Sequence, residues 1–293
     1  MKNRVLLIIY CILICTCYTD PFLEKKYPSD IVIHGEGTLK YIRTFWDKPH
    51  NKKNQDGTKI YDAKLIDSII WILGDYHRDD GHTLYKGINR SATVNIRKVG
   101  KSYPYSVYSG ILHTGNFIIF YVQKENINYI ARINKTTLKH QYIEMPDIFD
   151  DFPYRFRFYN DNENLILLYN ENYFSPKPTI YTYWKINENC DDFTEITEQE
   201  FNDLYTTPPD FVTDATGRYY RFYKGDSSKS ERGYIEVSLD NGDTWHYGDM
   251  GTNRPVNIII QNDSIYVFCN RYSAGSALSR EYVGGGIHEF KWQ

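Results

Sequence analysis

The sequence predicts an all-β fold of the propeller type, about six blades of four antiparallel strands each, and three observations predict it. Tyrosine and phenylalanine are abundant, 28 and 15 among 293 residues, and aromatic side chains suit the half-buried pleated surface of a sheet. Short apolar stretches recur in pairs across tight turns of Gly, Asn and Asp, the grammar of hairpins. Long helical periodicity is lacking, and only Glu198 to Leu204 reads as one or two helical turns.

The chain opens with Lys2 and Arg4 ahead of an apolar run from Val5 to Ile14. That run is too short to span a bilayer and has the charge-then-apolar order of a secretory signal. Residues 1–16 are read as a signal peptide, 17–27 as a lipidated or short tether and closing strand, and 28–293 as the propeller domain. Ile14-Cys15-Thr16-Cys17 resembles a bacterial lipobox, which would place a lipid on Cys17. Thr16 departs from the Gly, Ala or Ser usual before the modified cysteine, so simple cleavage nearby stands beside lipidation. Either way the protein is expected to be exported, as a periplasmic or outer-membrane lipoprotein, touching membrane only through an N-terminal anchor.

The body then repeats. Second strands of successive hairpins begin near Thr38, Ile69, Phe117, Leu165, Arg218 and Ser264. Their turns hold Gly35 and Gly37, Asp67, Gly115 and Asn116, Asn162 and Asn164, Gly217, and Asn262 and Asp263. Third strands follow at Leu84 to Ile88, Tyr129 to Asn134, Ile180 to Ile186 and Tyr234 to Leu239. Six units over the body give about 46 residues each, the size of a propeller blade. The last unit lacks an outer strand, which Phe22 to Tyr27 could supply to close the ring. The first unit fits poorly after Trp46, where Asp47 to Gly57 is a polar insertion, so five blades plus an irregular one is an alternative. A two-sheet β-sandwich is another, because short strands with regular turns predict either.

Charge and cysteines exclude some classes. A formal net charge of -3 and a pI near 6.2 give no attraction to phosphate backbones, and nucleic acid is not expected as a partner. Cys190 and Cys269 are the cysteines of the body, to be read as a disulfide or as two thiols. Asn89, Asn134 and Asn262 begin N-x-[ST] sequons, which are idle in a bacterium.

Ser238-Leu239-Asp240-Asn241-Gly242-Asp243-Thr244-Trp245 carries the most specific signal. Asp and Ser side chains can bond turn backbone groups, Gly permits the bend, and Trp packs between strands. These residues match the S-x-D-x-G-x-T-W hairpin and so resemble the Asp box, or BNR repeat, of bacterial neuraminidases. The resemblance implies a sialidase-like propeller with this turn between the third and fourth strands of a blade. It assigns Ser238, Asp240, Gly242, Thr244 and Trp245 a structural role. Sialidase chemistry would further need three arginines for the substrate carboxylate, a tyrosine nucleophile with its glutamate, and an aspartate acid/base. The family's Arg-Ile-Pro signature is absent.

No catalytic residue, cofactor or metal is expected. Asp75, His77, Asp79, Asp80 and His82 could ligate a metal, but they read better as a solvated loop. Gly-x-Ser-x-Gly and Walker A sequences are missing. The loops after second strands share one face and supply partner-binding candidates: Trp46, Tyr76, His77, Arg78, Tyr173, Phe174, Arg232, Arg271, Tyr272 and Arg280. Trp, Tyr and Arg are residue types that form hot spots. The expectation is a non-enzymatic binding protein of the bacterial cell envelope, most concretely an immunity lipoprotein that inhibits a toxin effector by protein-protein binding. The alternative is a carbohydrate-binding or sialidase-like glycoside hydrolase with a glycan partner.

Overall fold

The computed structural model describes residues 28–44, 48–49, 59–75, 82–90, 93–98, 106–107, 109–149, 155–161, 164–170, 180–205, 209–225, 233–251, 253–272 and 282–293. Among these the chain is nearly all β, and no helix is long and apolar enough to cross a membrane. It divides into two compact units, residues 48–210 and residues 1–47 with 211–293.

Strands β1 (Ile31–Ile33) and β2 (Gly37–Thr44) begin the chain's split unit. The continuous unit follows with β3 (Lys48–Pro49), β4 (Lys59–Ile66), β5 (Ile69–Asp75), β6 (His82–Arg90), β7 (Thr93–Lys98), β8 (Ser106–Val107), β9 (Leu112–His113), β10 (Phe117–Lys124), β11 (Ile127–Asn134), β12 (His140–Glu144), β13 (Phe156–Asp161), β14 (Asn164–Asn170), β15 (Tyr181–Ile186), β16 (Phe193–Ile196) and helix α1 (Glu198–Leu204). The split unit resumes with β17 (Val212–Thr213), β18 (Tyr219–Tyr223), β19 (Tyr234–Ser238), β20 (His246–Asp249), β21 (Asn253–Gln261), β22 (Ser264–Tyr272) and β23 (Tyr282–Trp292).

In the continuous unit the antiparallel sheets run β4-β5-β6-β7, β12-β11-β10-β8 with β9 also on β10, and β13-β14-β15-β16. The split unit holds β17-β18-β19-β20 and β1-β2-β23-β22-β21. Three of these sheets are plain four-stranded meanders, the build of a propeller blade. The expected six hairpins become five sheets among the described residues. The reason is that the first hairpin is no unit of its own: Leu39 to Thr44 of β2 pairs with β23, so the start of the chain completes the last sheet. The segment Phe22 to Tyr27, expected in that closing position, lies outside the described residues.

Period-two alternation explains the packing. Along β10, Ile118, Phe120 and Val122 join Trp71, Leu73 and Leu84 in one buried cluster. Ile119 and Tyr121 point the other way, into a second cluster with Phe156, Leu165 and Leu167. A strand buried on both faces must read as a continuous apolar run, and Phe117-Ile118-Ile119-Phe120-Tyr121-Val122 does. Polar clamps tie neighbouring sheets. Asp62 accepts from the Ile111 N–H at 2.7 Å, and Asn160 both accepts from the His113 N–H at 3.1 Å and donates to its carbonyl at 2.6 Å. In the split unit, Leu39, Ile265, Val267 and Phe290 of one sheet pack on Tyr220, Ile235 and Val237 of the other.

Turn chemistry follows the backbone. Asp67-Ser68, Glu125-Asn126 and Asn262-Asp263 place both central residues at positive φ, the two-residue hairpin whose twist matches its strands. Helix α1 forms where expected because Thr197 and Glu200 make a reciprocal capping box. Its Phe201 packs on Tyr159 and Tyr183. Cys190 and Cys269 are both buried free thiols, so the disulfide reading is excluded. Burial pushes the Cys190 thiol up to about 12, and that of Cys269 well above its ordinary value.

Candidate functional site

The Ser238–Trp245 residues come together as one hydrogen-bonded turn between β19 and β20, the third and fourth strands of their sheet. Ser238 Oγ donates to Asp240 Oδ1 at 2.7 Å and accepts from the Gly242 N–H at 2.8 Å. Asp240 also accepts from the Thr244 N–H at 2.8 Å and from the Thr244 hydroxyl. Gly242 sits at φ +96, in the left-handed region where a side chain would be strained. The Arg221 guanidinium covers the Trp245 ring at 3.8 Å.

Two other turns do the same work without the motif. Asn134, the last residue of β11, accepts from the N–H groups of Thr136 and Thr137 at 3.0 and 2.8 Å. Asn187, between β15 and β16, accepts from Asp191 and Asp192 at 3.1 and 3.3 Å. Both join third to fourth strands. The signal that could have revealed them is an Asx residue closing each third strand; the motif's Ser and Gly are dispensable to that bond.

A cleft of about 530 Å³ lies in the split unit, among the β17-β18 turn, the β21-β22 turn and the end of β23. Asp214, Arg218, Asn262, Asp263, Lys291 and Trp292 are among the residues lining it. It was not foreseen, because these residues are joined by strand pairing and not by spacing in the sequence. Within each sheet it sits at the opposite end from the loop after the second strand.

A chain of bonds fixes one wall. Trp292 Nε1–H donates to the Tyr220 hydroxyl at 2.7 Å, and that hydroxyl donates to Asp214 Oδ2 at 2.7 Å. Asp214 Oδ1 accepts from the Thr216 hydroxyl at 2.7 Å and from the N–H groups of Thr216 and Arg218 at 2.9 and 3.1 Å. Burial alone would raise the Asp214 carboxyl, but the bonds from Tyr220, Thr216 and the two N–H groups outweigh it and hold it below its ordinary value. Burial, followed by the bond to Asp214, pushes the Tyr220 hydroxyl well up. Asp214 is thus a fixed carboxylate and Tyr220 a fixed neutral donor. Arg218 stacks over the half-buried Trp292 ring at 4.3 Å.

Cys17, Trp46, Tyr76, His77, Arg78, Tyr173, Phe174, Arg232 and Arg280 lie outside the described residues. Arg271 and Tyr272 are described in backbone alone, at the end of β22. Of the loop cluster, His77, Asp79 and Asp80 also lie outside, and among the described residues no His, Cys, Asp and Glu group could hold a metal ion.

No protein-family profile matches the chain. No curated protein matches it. Solved structures do match. The GH43_1 enzyme from Xanthomonas citri complexed with xylotriose is 11% identical, over 81% of this chain and 88% of that one, with a TM-score of 0.37. The RS223 β-xylosidase is 8% identical, over 84% and 94%, with a TM-score of 0.40. The catalytic domain of the Coprinopsis cinerea GH62 α-L-arabinofuranosidase is 9% identical, over 85% and 98%, with a TM-score of 0.40. At this level the likeness concerns the all-β build and says nothing of substrate or mechanism.

These matches correct two expectations. The solved structures named above are glycoside hydrolases, against the expectation of a non-enzymatic immunity lipoprotein that inhibits a toxin effector, and that reading is withdrawn. The expectation that the chain is not an enzyme is withdrawn with it. It rested on missing linear motifs, and sheets stacked from distant segments can assemble acids that share no motif. The sialidase-like resemblance shrinks to a statement about one turn.

Proposed function

We propose that this chain is a carbohydrate-active propeller of the glycoside hydrolase kind, built of five blades, that takes a saccharide in the cleft walled by Trp292, Arg218 and Asp214. The observation that carries this reading is the make-up of that cleft: an aromatic ring beside fixed donors and acceptors in a concave space of about 530 Å³. A sugar has apolar ring faces and a rim of hydroxyls, so it needs both kinds of surface close together. Glycoside hydrolysis further requires a carboxyl that keeps its proton, which Asp214 does not supply.

The remaining sequence features fit this reading. Export through residues 1–16, with or without a lipid on Cys17, would place the protein where polysaccharides are met. The Ser238–Trp245 turn is read as an Asp box that locks its strands. Trp46, Tyr76, His77, Arg78, Tyr173, Phe174, Arg232, Arg271, Tyr272 and Arg280 are proposed as further partner-binding residues.

A glycan array probed with the full chain and a Trp292→Ala variant, alongside reducing-sugar release from xylan, arabinan and galactan, tests the proposal. Retention of a defined glycan set that the variant loses is expected. Retention of no glycan and release of no sugar would remove the reading.

A further inference from the structure

The arginines of this fold with a partner nearby are mostly bonded to it. Arg43 reaches Glu289 at 2.8 Å, and Arg132 reaches Gln141 at 2.7 Å. Arg218 differs. Its Nη1 stands 3.8 Å from Asp214 Oδ2, beyond hydrogen-bond reach. The Asp214 oxygens are already engaged by Tyr220, Thr216 and the two backbone N–H groups. The guanidinium is instead held flat by stacking on Trp292, with 30% of the side chain exposed. Among the described residues its planar fork of donors has no hydrogen-bond acceptor, and it lines the cleft. Lys291 adds a second cation. Its Nζ is 3.6 Å from Glu289 Oε1, again too far for a hydrogen bond, and Glu289 is already bonded to Arg43 and Ser264.

A positioned guanidinium with an open fork matches the two oxygens of a carboxylate. Stacking removes much of its freedom in advance, so less entropy is lost when an anion docks. The carboxylates lining the cleft are Asp214, whose oxygens are occupied, and Asp263 at the tip of the β21-β22 turn. We propose that the cleft selects an acidic saccharide, with Arg218 gripping the carboxylate of a uronic acid residue and Lys291 supplying the second charge. This rests on the carbohydrate reading above and names its substrate class. A sulfate ester on a sugar would present the same chemistry, so the experiment separates the two.

Titration calorimetry on the full chain would compare trigalacturonate, its methyl ester, a neutral xylo-oligosaccharide and a sulfated oligosaccharide. Trigalacturonate is expected to bind about tenfold or more tighter than its ester, since a charged bidentate contact is replaced by a neutral one. Arg218→Gln should bring acid and ester to equal affinity, and Arg218→Lys should restore the preference in part, with the thermal midpoint of both variants unchanged. Equal binding of acid and ester by the unaltered chain would overturn the inference and leave the carbohydrate reading standing. Preference for the sulfated sugar would overturn the assignment to a uronic acid. Binding of none of these sugars would overturn both.

Discussion

Replacing Tyr220 by phenylalanine removes one oxygen from the middle of the Trp292–Tyr220–Asp214 chain and leaves the ring in place. Tyr220 is 1% exposed and packs in the apolar cluster with Val237, Val267 and Phe290, so the phenylalanine ring fills the same space. Two bonds of 2.7 Å are lost, one to a carboxylate. A hydrogen bond to a charged group contributes about 1.5–3 kcal/mol, but Asp214 keeps its other donors, so the loss should fall near about 2 kcal/mol. For a chain of 293 residues that is a fall in the thermal midpoint of about 3 °C. The effect should depend on pH. The Asp214 carboxyl is held below its ordinary value, so the stability it contributes is full above that value of 3.8 and is lost as pH falls through the lower folded one. The Tyr220→Phe penalty should therefore be largest near neutrality and shrink in acid. Urea unfolding at pH 7 and at the lowest pH where the unaltered chain still folds measures both. A penalty under about 0.5 kcal/mol, the scatter of neutral surface changes, would refute the buried relay. So would a penalty that stays unchanged once the acid measurement lies below the folded value of Asp214.

Other consequences can be checked one by one. A Cβ at Gly233 would meet Pro255 Cδ at 2.5 Å and the Asn253 carbonyl oxygen at 2.9 Å, so Gly233→Ala should destabilise by about 1–3 kcal/mol in calorimetric unfolding. Ser238→Ala should cost about 1–2 kcal/mol in urea unfolding, because the half-buried Gly242 N–H loses its acceptor, the buried Ser238 hydroxyl. Cys190 and Cys269, buried with their thiols shifted far up, should resist a thiol reagent at pH 8 in the folded protein and react fully once it is unfolded.

Much of the fold was legible because hairpin signals are local. Ile69, Phe117 and Ser264 begin second strands as their turns foretold, and Glu198–Leu204 is a helix where the sequence pointed to one or two turns. The sheet count was not legible. Gly35 and Gly37 form a real turn between β1 and β2, yet which sheet β2 joins depends on its pairing with β23 some 240 residues away, and no local signal reports that. The candidate site was hidden for the same reason. Asp214 and Arg218 lie on one turn, but Lys291 and Trp292 reach them through strand pairing, and an arginine freed by its neighbour's prior bonds looks in sequence like any other. The loops rich in Tyr, Trp and Arg drew the eye by composition, which says where hot spots arise but not which groups converge.

The most direct test uses the indole signals of the five tryptophans. In a ¹H–¹⁵N spectrum the Trp292 Nε1–H, bonded to the Tyr220 hydroxyl, can be assigned through a Trp292→Phe variant, while Trp71, fully buried in the continuous unit, serves as the internal reference. Addition of the saccharide retained on the array should shift the Trp292 signal and leave the Trp71 signal in place. A saccharide that binds while the Trp292 signal stays still would contradict the assignment of this cleft as the sugar site.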